Sequence, residues 1–160
     1  VEADRGRVIE MRRSEAVARW WRGDDLDEVF SDDIDDDELH QFAVEVDGVL
    51  LGMIQYFEEE DPDYRHASID LFVDPKFHRH GYGSDAIITL ADYLFDQLGH
   101  HRMIIDPAAS NKAAIDCYTK VGFRPVGVMR SYERQSDGTW SDGLLMEMLA
   151  TDRFSAPPQH

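Results

Sequence analysis

The stretch Asp70 to Ala86, DLFVDPKFHRHGYGSDA, decides the reading of this chain. An apolar strand over residues 66–73 (HASIDLFV) runs into Pro75, a basic turn with two glycines follows, and an amphipathic helix begins. Gly81 and Gly83 let the backbone turn sharply and come close to a ligand. A helix that opens here leaves its first N–H groups unpaired, and with the helix dipole they make a site for an anion. His78, Arg79 and His80 concentrate positive charge in this one turn of a chain whose formal net charge is -17. A pyrophosphate suits such a place. The glycine spacing is neither the G-x-G-x-x-G dinucleotide fingerprint nor a P-loop, which needs Lys and Ser/Thr after its second Gly. By itself the pattern also fits a plain strand-to-helix turn.

Upstream, Arg7 to Arg13 reads as a first strand, and Ser14 as the N-cap of a helix through Trp20 and Trp21. Residues 23–38 are crowded with Asp; Leu26, Val29 and Phe30 have helical spacing, and the Asp run after them reads as a solvated loop. An EF-hand would need a central Gly and a final Glu that are missing, so no metal site is expected. Residues 40–46 and 49–57 read as strands around an Asp47-Gly48 hairpin turn. Downstream, 83–98 reads as a helix ended by Gly99, 102–105 as a short buried strand, and 111–121 as a helix closed by Gly122. Residues 123–132 and 143–149 are two further strands, with Asp137-Gly138 in the turn between them. The order is β, helices, β-β-β, helix, β, helix, β-β. It predicts one α/β (α+β) domain over residues 1–154, with a single mixed, largely antiparallel central sheet flanked by helices. The Pro-containing tail 155–160 is expected to fray.

The bulk properties narrow the functions. One hundred and sixty residues suffice for one ordinary core. A net charge of -17 repels nucleic acid and anionic lipid and draws cations in, although solubility alone can also account for it. No apolar run is long enough to span a bilayer and the N-terminus lacks the apolar core of a signal peptide, so a cytoplasmic location is the expectation. Cys117 is the only cysteine, which excludes an internal disulfide.

A second stretch, Asn111 to Phe123 (NKAAIDCYTKVGF), joins the first. His78-Arg79-His80-Gly81-Tyr82-Gly83 resembles the Gln/Arg-x-x-Gly-x-Gly/Ala acyl-CoA motif of the GNAT superfamily, with His78 departing from the usual first residue. Asn111 to Phe123 is similar to that superfamily's N-x-x-A-x-x-x-Y-x-K-x-G-F signature. The resemblance implies the GNAT fold, with a splayed strand pair holding acyl-CoA, and direct acetyl transfer from acetyl-CoA to an amine. It implies that Leu71, Phe72 and Val73 meet the pantetheine arm, and that the backbone from His78 through Arg79, His80, Gly81, Tyr82 and Gly83 to Ser84 cradles the pyrophosphate. Asn111 and Lys120 complete the cofactor contacts. No metal is implied.

Within the superfamily the chain looks most like the aminoglycoside 6'-N-acetyltransferase group. AVARWW (16–21), the hairpin VDGVLLGMIQYF (46–57), SIDLFV (68–73) and IDPAASNKAAIDCYTKVGF (105–123) all match that group's segments. The implied acceptor is a small polycationic amine, an aminoglycoside first. The alternatives are a protein N-terminus, a polyamine or another small amine, or a non-catalytic acyl-CoA-binding module. An amine must lose its proton before it attacks, and Asp70 lies at the family's position for the base. Tyr118 would protonate the leaving thiolate. The residues alone also allow Asp70 as a structural carboxylate, Tyr118 as a core aromatic, and His66 as an alternative base. For the acceptor pocket the resemblance points to Trp20, Trp21, Tyr56, Glu58, Tyr64 and Asp106, and to the acidic runs 58–63 and 32–38. The run 58–63 also fits a solvated loop, and one Trp of the pair a core position. The loop before the Asp70 strand is short and the hairpin 132–142 is long for that group, which leaves the acceptor open. A monomer and a homodimer are both compatible with the sequence.

Overall fold

The computed structural model describes residues 2–21 and 39–154. The acidic run 32–38, the helical spacing at Leu26 to Phe30 and the tail 155–160 lie outside the described residues.

Strands β1 (Leu39–Val46) and β2 (Val49–Glu59) form an antiparallel hairpin. Its turn, Asp47-Gly48, has positive φ at both residues (51° and 77°), as a two-residue turn between twisted strands requires. Strand β3 (His66–Val73) pairs antiparallel with β2 along its whole length. After helix α3 (Tyr82–Asp92) come β4 (Arg102–Ile105), β5 (Arg124–Arg134) and β6 (Trp140–Leu149), and the sheet order is β1-β2-β3-β4-β6-β5. Only β3 and β4 are parallel, and they hold register over two pairs, Ala67 with Met103 and Ser68 with Ile104. Beyond Ser68 the two strands part while each keeps its other neighbour. The splay expected of the fold is therefore a gap beside Ile69 to Val73.

The first predicted strand is instead a helix, α1 (Glu2–Arg13). Val8 and Met11 are both buried, and Arg7 pairs with Glu10 at 2.7 Å; each is an i, i+3 relation that joins one helix face and would split across a strand. The apolar residues are too sparse to signal this, and packing decides it: Val8 and Met11 cluster with Met53, Phe72 and Val17, the last on the short helix α2 (Glu15–Ala18). Ser14 has N-cap backbone geometry, but its hydroxyl donates to the Met11 carbonyl at 2.6 Å. The helix there ends at Ala18, before Trp20 and Trp21.

Helices α3 (Tyr82–Asp92) and α4 (Lys112–Val121) cover the other face. Residues Tyr93–Gln97 continue α3 as a widened π turn, and Gly99, at φ 68°, ends it. The main core of Ile54, Ile69, Ile87, Leu94, Met103 and Met146 lies between these helices and the sheet. Strand alternation thus sorts the side chains: Ile54, Tyr56, Ala67 and Ile69 face α3, and Met53 and Phe72 face α1.

Gly52 fixes how closely β2 and β3 approach at the edge of the gap. A Cβ there would lie 2.1 Å from the Phe72 carbonyl oxygen and 2.9 Å from the Val73 Cα. Gly52→Ala is expected to destabilise the fold by about 1–3 kcal/mol, since two backbones must move apart. Thermal unfolding followed by circular dichroism should register this as a Tm lower by roughly 2–4 °C per kcal/mol. An unchanged Tm would show that the strands yield without cost.

Candidate active site

The turn after β3 is built by its own side chains. Asp74 is buried, accepts from the Lys76 N–H at 3.0 Å and meets Arg7 of α1 at 3.2 Å. Arg79 and Gly81 take positive φ, 63° and 83°, around His80. Alternation of this kind turns successive N–H groups towards one point. Gly81 is the N-cap of α3 and supplies no side-chain cap, and the first intrahelical bond is Asp85 N–H to Gly81 O at 2.9 Å. The N–H groups of Tyr82, Gly83 and Ser84 precede that bond and remain for an anion. The open helix start and the gap beyond Ser68 fit a pyrophosphate followed by an extended polar chain.

The histidines of the turn do something other than expected. His78 Nε2 donates to the Val73 carbonyl at 2.7 Å, and His80 Nδ1 donates to the His78 carbonyl at 2.7 Å. The His78 ring ties the turn to the end of β3 and the His80 ring ties the turn to itself, so both rings are engaged in building it. His80 also stacks on Tyr82, ring centroids 5.9 Å apart. Ser84 Oγ lies 3.3 Å from Cys117 Sγ and joins α3 to α4, leaving its N–H for the cradle.

Along β3 the backbone groups alternate between β2 and the gap. The Asp74 N–H bonds Leu51 of β2 at 2.7 Å, so the Phe72 backbone also faces β2, and those of Leu71 and Val73 face the gap. Phe72 is thus excluded as a backbone contact. The Leu71 N–H donates to Asp70 Oδ1 at 3.0 Å. Asn111 caps α4 by accepting from the Ala114 N–H at 3.3 Å, which leaves its amide N–H₂ for a ligand. Lys120 is exposed in the last turn of α4.

Asp70 shares the α1 face with Phe72. Its carboxyl reaches solvent, yet its pKa is pushed up to about 7. Desolvation is the main cause, Asp106 and Glu133 add to it, and the Leu71 N–H and Arg12 oppose it. Solvent at the mouth moderates the desolvation, but the two neighbouring carboxylates push the same way. Tyr118 of α4 is buried against Phe123, and its hydroxyl is held protonated by desolvation and then by Asp70. Asp106, just past β4, is exposed and accepts a 2.5 Å hydrogen bond from the Tyr132 hydroxyl of β5. Asp70, Tyr118 and Asp106 are therefore near enough beside the splay to feel one another's charge.

The other expected acceptor residues divide. Trp21 packs edge-on against Phe72, centroids 5.2 Å apart, under Arg12. Trp20 is 38% exposed with Arg19 over its ring at 4.8 Å. Tyr56 is a correction: it is buried on the α3 face, between His40, Phe42 and Tyr93. Glu58 is another, because it lies on the same face, 3.2 Å from the buried His100, whose pKa burial and Arg65 lower. Tyr64, 73% exposed, lies in the β2–β3 turn, where Glu59 and Asp61 accept from backbone N–H groups. That turn is at the end of β3 away from the splay. His66, at the strand's start, is about 13 Å along the strand from Asp70 and bonds the Tyr64 carbonyl, so it stands apart from the splay.

Three polar residues of the cleft escape a sequence reading. Gln55 lies opposite Asp70 in the β2–β3 register and accepts from Gln41 at 3.1 Å, so a polar row crosses the sheet floor; alternation from Asp70 could have found it. Tyr132 and Glu133 arrive through a bulge in β5 that leaves no clear signal in composition. Among the described residues no helix is long and apolar enough to cross a membrane, and no group of three or more His, Cys, Asp and Glu could hold a metal.

Comparison with known proteins agrees with this geometry. Residues 7–123 match the acetyltransferase (GNAT) family. Spermidine N(1)-acetyltransferase of Escherichia coli K12 is 25% identical over 126 residues, covering 75% of this chain and 67% of that protein. The crystal structure of spermidine N-acetyltransferase from Vibrio cholerae with CoA and spermine superposes with a TM-score of 0.82 at 20% identity, covering 97% of this chain and 95% of the other. The aminoglycoside acetyltransferase AAC(6')-Ib with coenzyme A gives 0.78 at 20% identity, covering 95% and 93%. This chain belongs to the GNAT acetyltransferase family and is an acetyl-CoA-dependent N-acetyltransferase.

Proposed function

We propose that the acceptor is a linear polyamine of the spermidine class, acetylated at a primary amine. The observation that carries this reading is the nearness of two further carboxylates, Asp106 and Glu133, to Asp70 beside the splay, close enough for their charges to raise its pKa. Three carboxylates match a chain of ammonium groups, each of which wants an acidic partner. The net charge of -17 favours encounter with such a cation. The spermidine acetyltransferase among the curated relatives supports the same choice over the aminoglycoside. The aminoglycoside remains a second reading, favoured by the segment 105–123 that resembles the 6'-N-acetyltransferase group.

Acetyl-CoA, when bound, supplies the acetyl group as an activated thioester. The α3 cradle holds its pyrophosphate, and the Leu71 and Val73 backbone and Asn111 align its arm in the gap. Asp70 takes the proton of the attacking amine, directly or through water. Its raised pKa leaves it basic enough for that near neutral pH. The Val73 N–H is placed to stabilise charge on the thioester oxygen. Tyr118, protonated, gives its proton to the departing sulfur and regains one from the amine nitrogen, which sheds its second proton as the amide forms, while the proton taken by Asp70 passes to solvent.

A thiol-release assay tests the acceptor with spermidine, spermine, kanamycin, a kanamycin analogue lacking the 6'-amine, and an N-terminal Ser/Ala peptide. Turnover of the polyamines with kcat/KM at least about tenfold above kanamycin is the expected result. Preference for kanamycin over its 6'-lacking analogue, with polyamines inert, would move the enzyme to the second reading.

A further inference from the structure

The β5–β6 hairpin spends an irregular piece of backbone to bring one hydroxyl to the cleft. Between Met129 and Glu133 strand β5 advances four residues while β6, from Gly143 to Ser141, advances two. Ser131, inside this bulge, takes φ 49°, a left-handed conformation uncommon outside glycine. Its N–H is pinned by Asp142 Oδ1 at 2.8 Å. The Tyr132 ring then lies over Gly143, where a Cβ would stand 2.8 Å from the ring's Cδ1. Its phenol donates to Asp106 Oδ2 at 2.5 Å.

The loop that bears the receiving residue is held by the same short stretch of β6. The loop after β4 bridges Gly143 through Ala108, the Ala109 N–H bonds the Asp142 carbonyl at 2.9 Å, and the Leu144 N–H bonds the Pro107 carbonyl at 2.8 Å. Residues 142–144 therefore fix both the phenol and the loop that bears Asp106. With Oδ2 taken, Asp106 presents Oδ1, which has no protein partner among the described residues. A bulge next to a site commonly serves to re-aim one side chain.

We propose that Tyr132 is a positioning residue for the acceptor: it clamps Asp106 so that the free carboxylate oxygen anchors a second ammonium group while the first amine reacts at Asp70. The inference rests on the polyamine reading above and adds the device that selects for two charges. Without the clamp the exposed Asp106 carboxylate turns freely and must be ordered by the substrate at each encounter. Asp70, Glu133 on β5 and Tyr118 on α4 are the other titratable groups near this place, since Asp70 and Glu133 act on Tyr132 and Asp106 acts on Tyr118.

The test is Tyr132→Phe, alone and in an Asp106→Asn background, with steady-state kinetics on spermidine and on n-butylamine. Phe keeps the ring against Gly143 and removes only the hydroxyl. KM for spermidine is expected to rise by about tenfold, the scale of a hydrogen bond to a charged group, and KM for the monoamine by less than about twofold. In the Asp106→Asn background the same change should alter KM for spermidine by less than about twofold, because the partner of the bond is already gone. Equal effects on the two amines, or additive effects of the two substitutions, would overturn the role of Tyr132 while leaving the polyamine reading intact. Failure of the unsubstituted enzyme to acetylate spermidine would remove both.

Discussion

Asp70→Asn is expected to lower kcat by about 10²–10⁴-fold, the range of a positioned general base. Asn retains the oxygen that accepts from the Leu71 N–H, so the strand and the gap keep their shape. KM for acetyl-CoA should stay within about twofold, since the cradle is remote from the substitution. The pH dependence gives the stronger check. With its pKa near 7, Asp70 is a free base above that pH and protonated below it, so kcat of the unsubstituted enzyme falls as pH drops through about 7. In Asp70→Asn that limb should vanish, and the residual rate should climb with pH towards the amine's own titration near 10. The same cause predicts the direction for Asp106→Asn: with a neighbouring negative charge removed, the limb moves to lower pH. Turnover within about threefold of normal at pH 7 in Asp70→Asn would take the base away from Asp70.

Tyr118→Phe is expected to lower kcat by about 10²-fold, with both KM values nearly unchanged, because a general acid matters only while the sulfur departs. Burial and the Asp70 charge keep the hydroxyl protonated at every working pH, so it cannot serve as a base, and its loss should scale the profile without moving the acid limb. The Phe ring retains the packing against Phe123, centroids 6.2 Å apart in the native pair, which separates chemistry from stability. Normal turnover would return Tyr118 to the core, and a fall in Tm matching the lost rate would do the same.

How much of this was legible in the chain depends on where each signal resides. Strand β3 and the helix-opening turn were readable because Pro75, two glycines and the change of period from two to 3.6 fall within one stretch. Both hairpin turns were readable for the same local reason. Helix α1 was not, because its buried face holds few apolar residues and is defined by Met53 and Phe72, distant in sequence. Asp70 and Asp106 came from the family resemblance, and the fold brings them together. Tyr56 and Glu58 went wrong together: acidic and aromatic residues look alike on either face of a sheet, and only strand register says which side they are on. The Tyr132 clamp depends on a two-residue excess in one strand, which has meaning only once its partner strand is known.

The parallel seam between β3 and β4, held by two rungs, divides the sheet into two halves of three strands each. The half with β1, β2 and β3 carries Asp70 and leads into α3, and the half with β4, β5 and β6 carries Tyr132, with Asp106 just past β4. On the reading proposed above, a donor arm lying in the seam would take the place of the missing rungs, and the cosubstrate would serve as an added strand. The chemistry then occurs along a line where the protein has left its own hydrogen bonding unfinished.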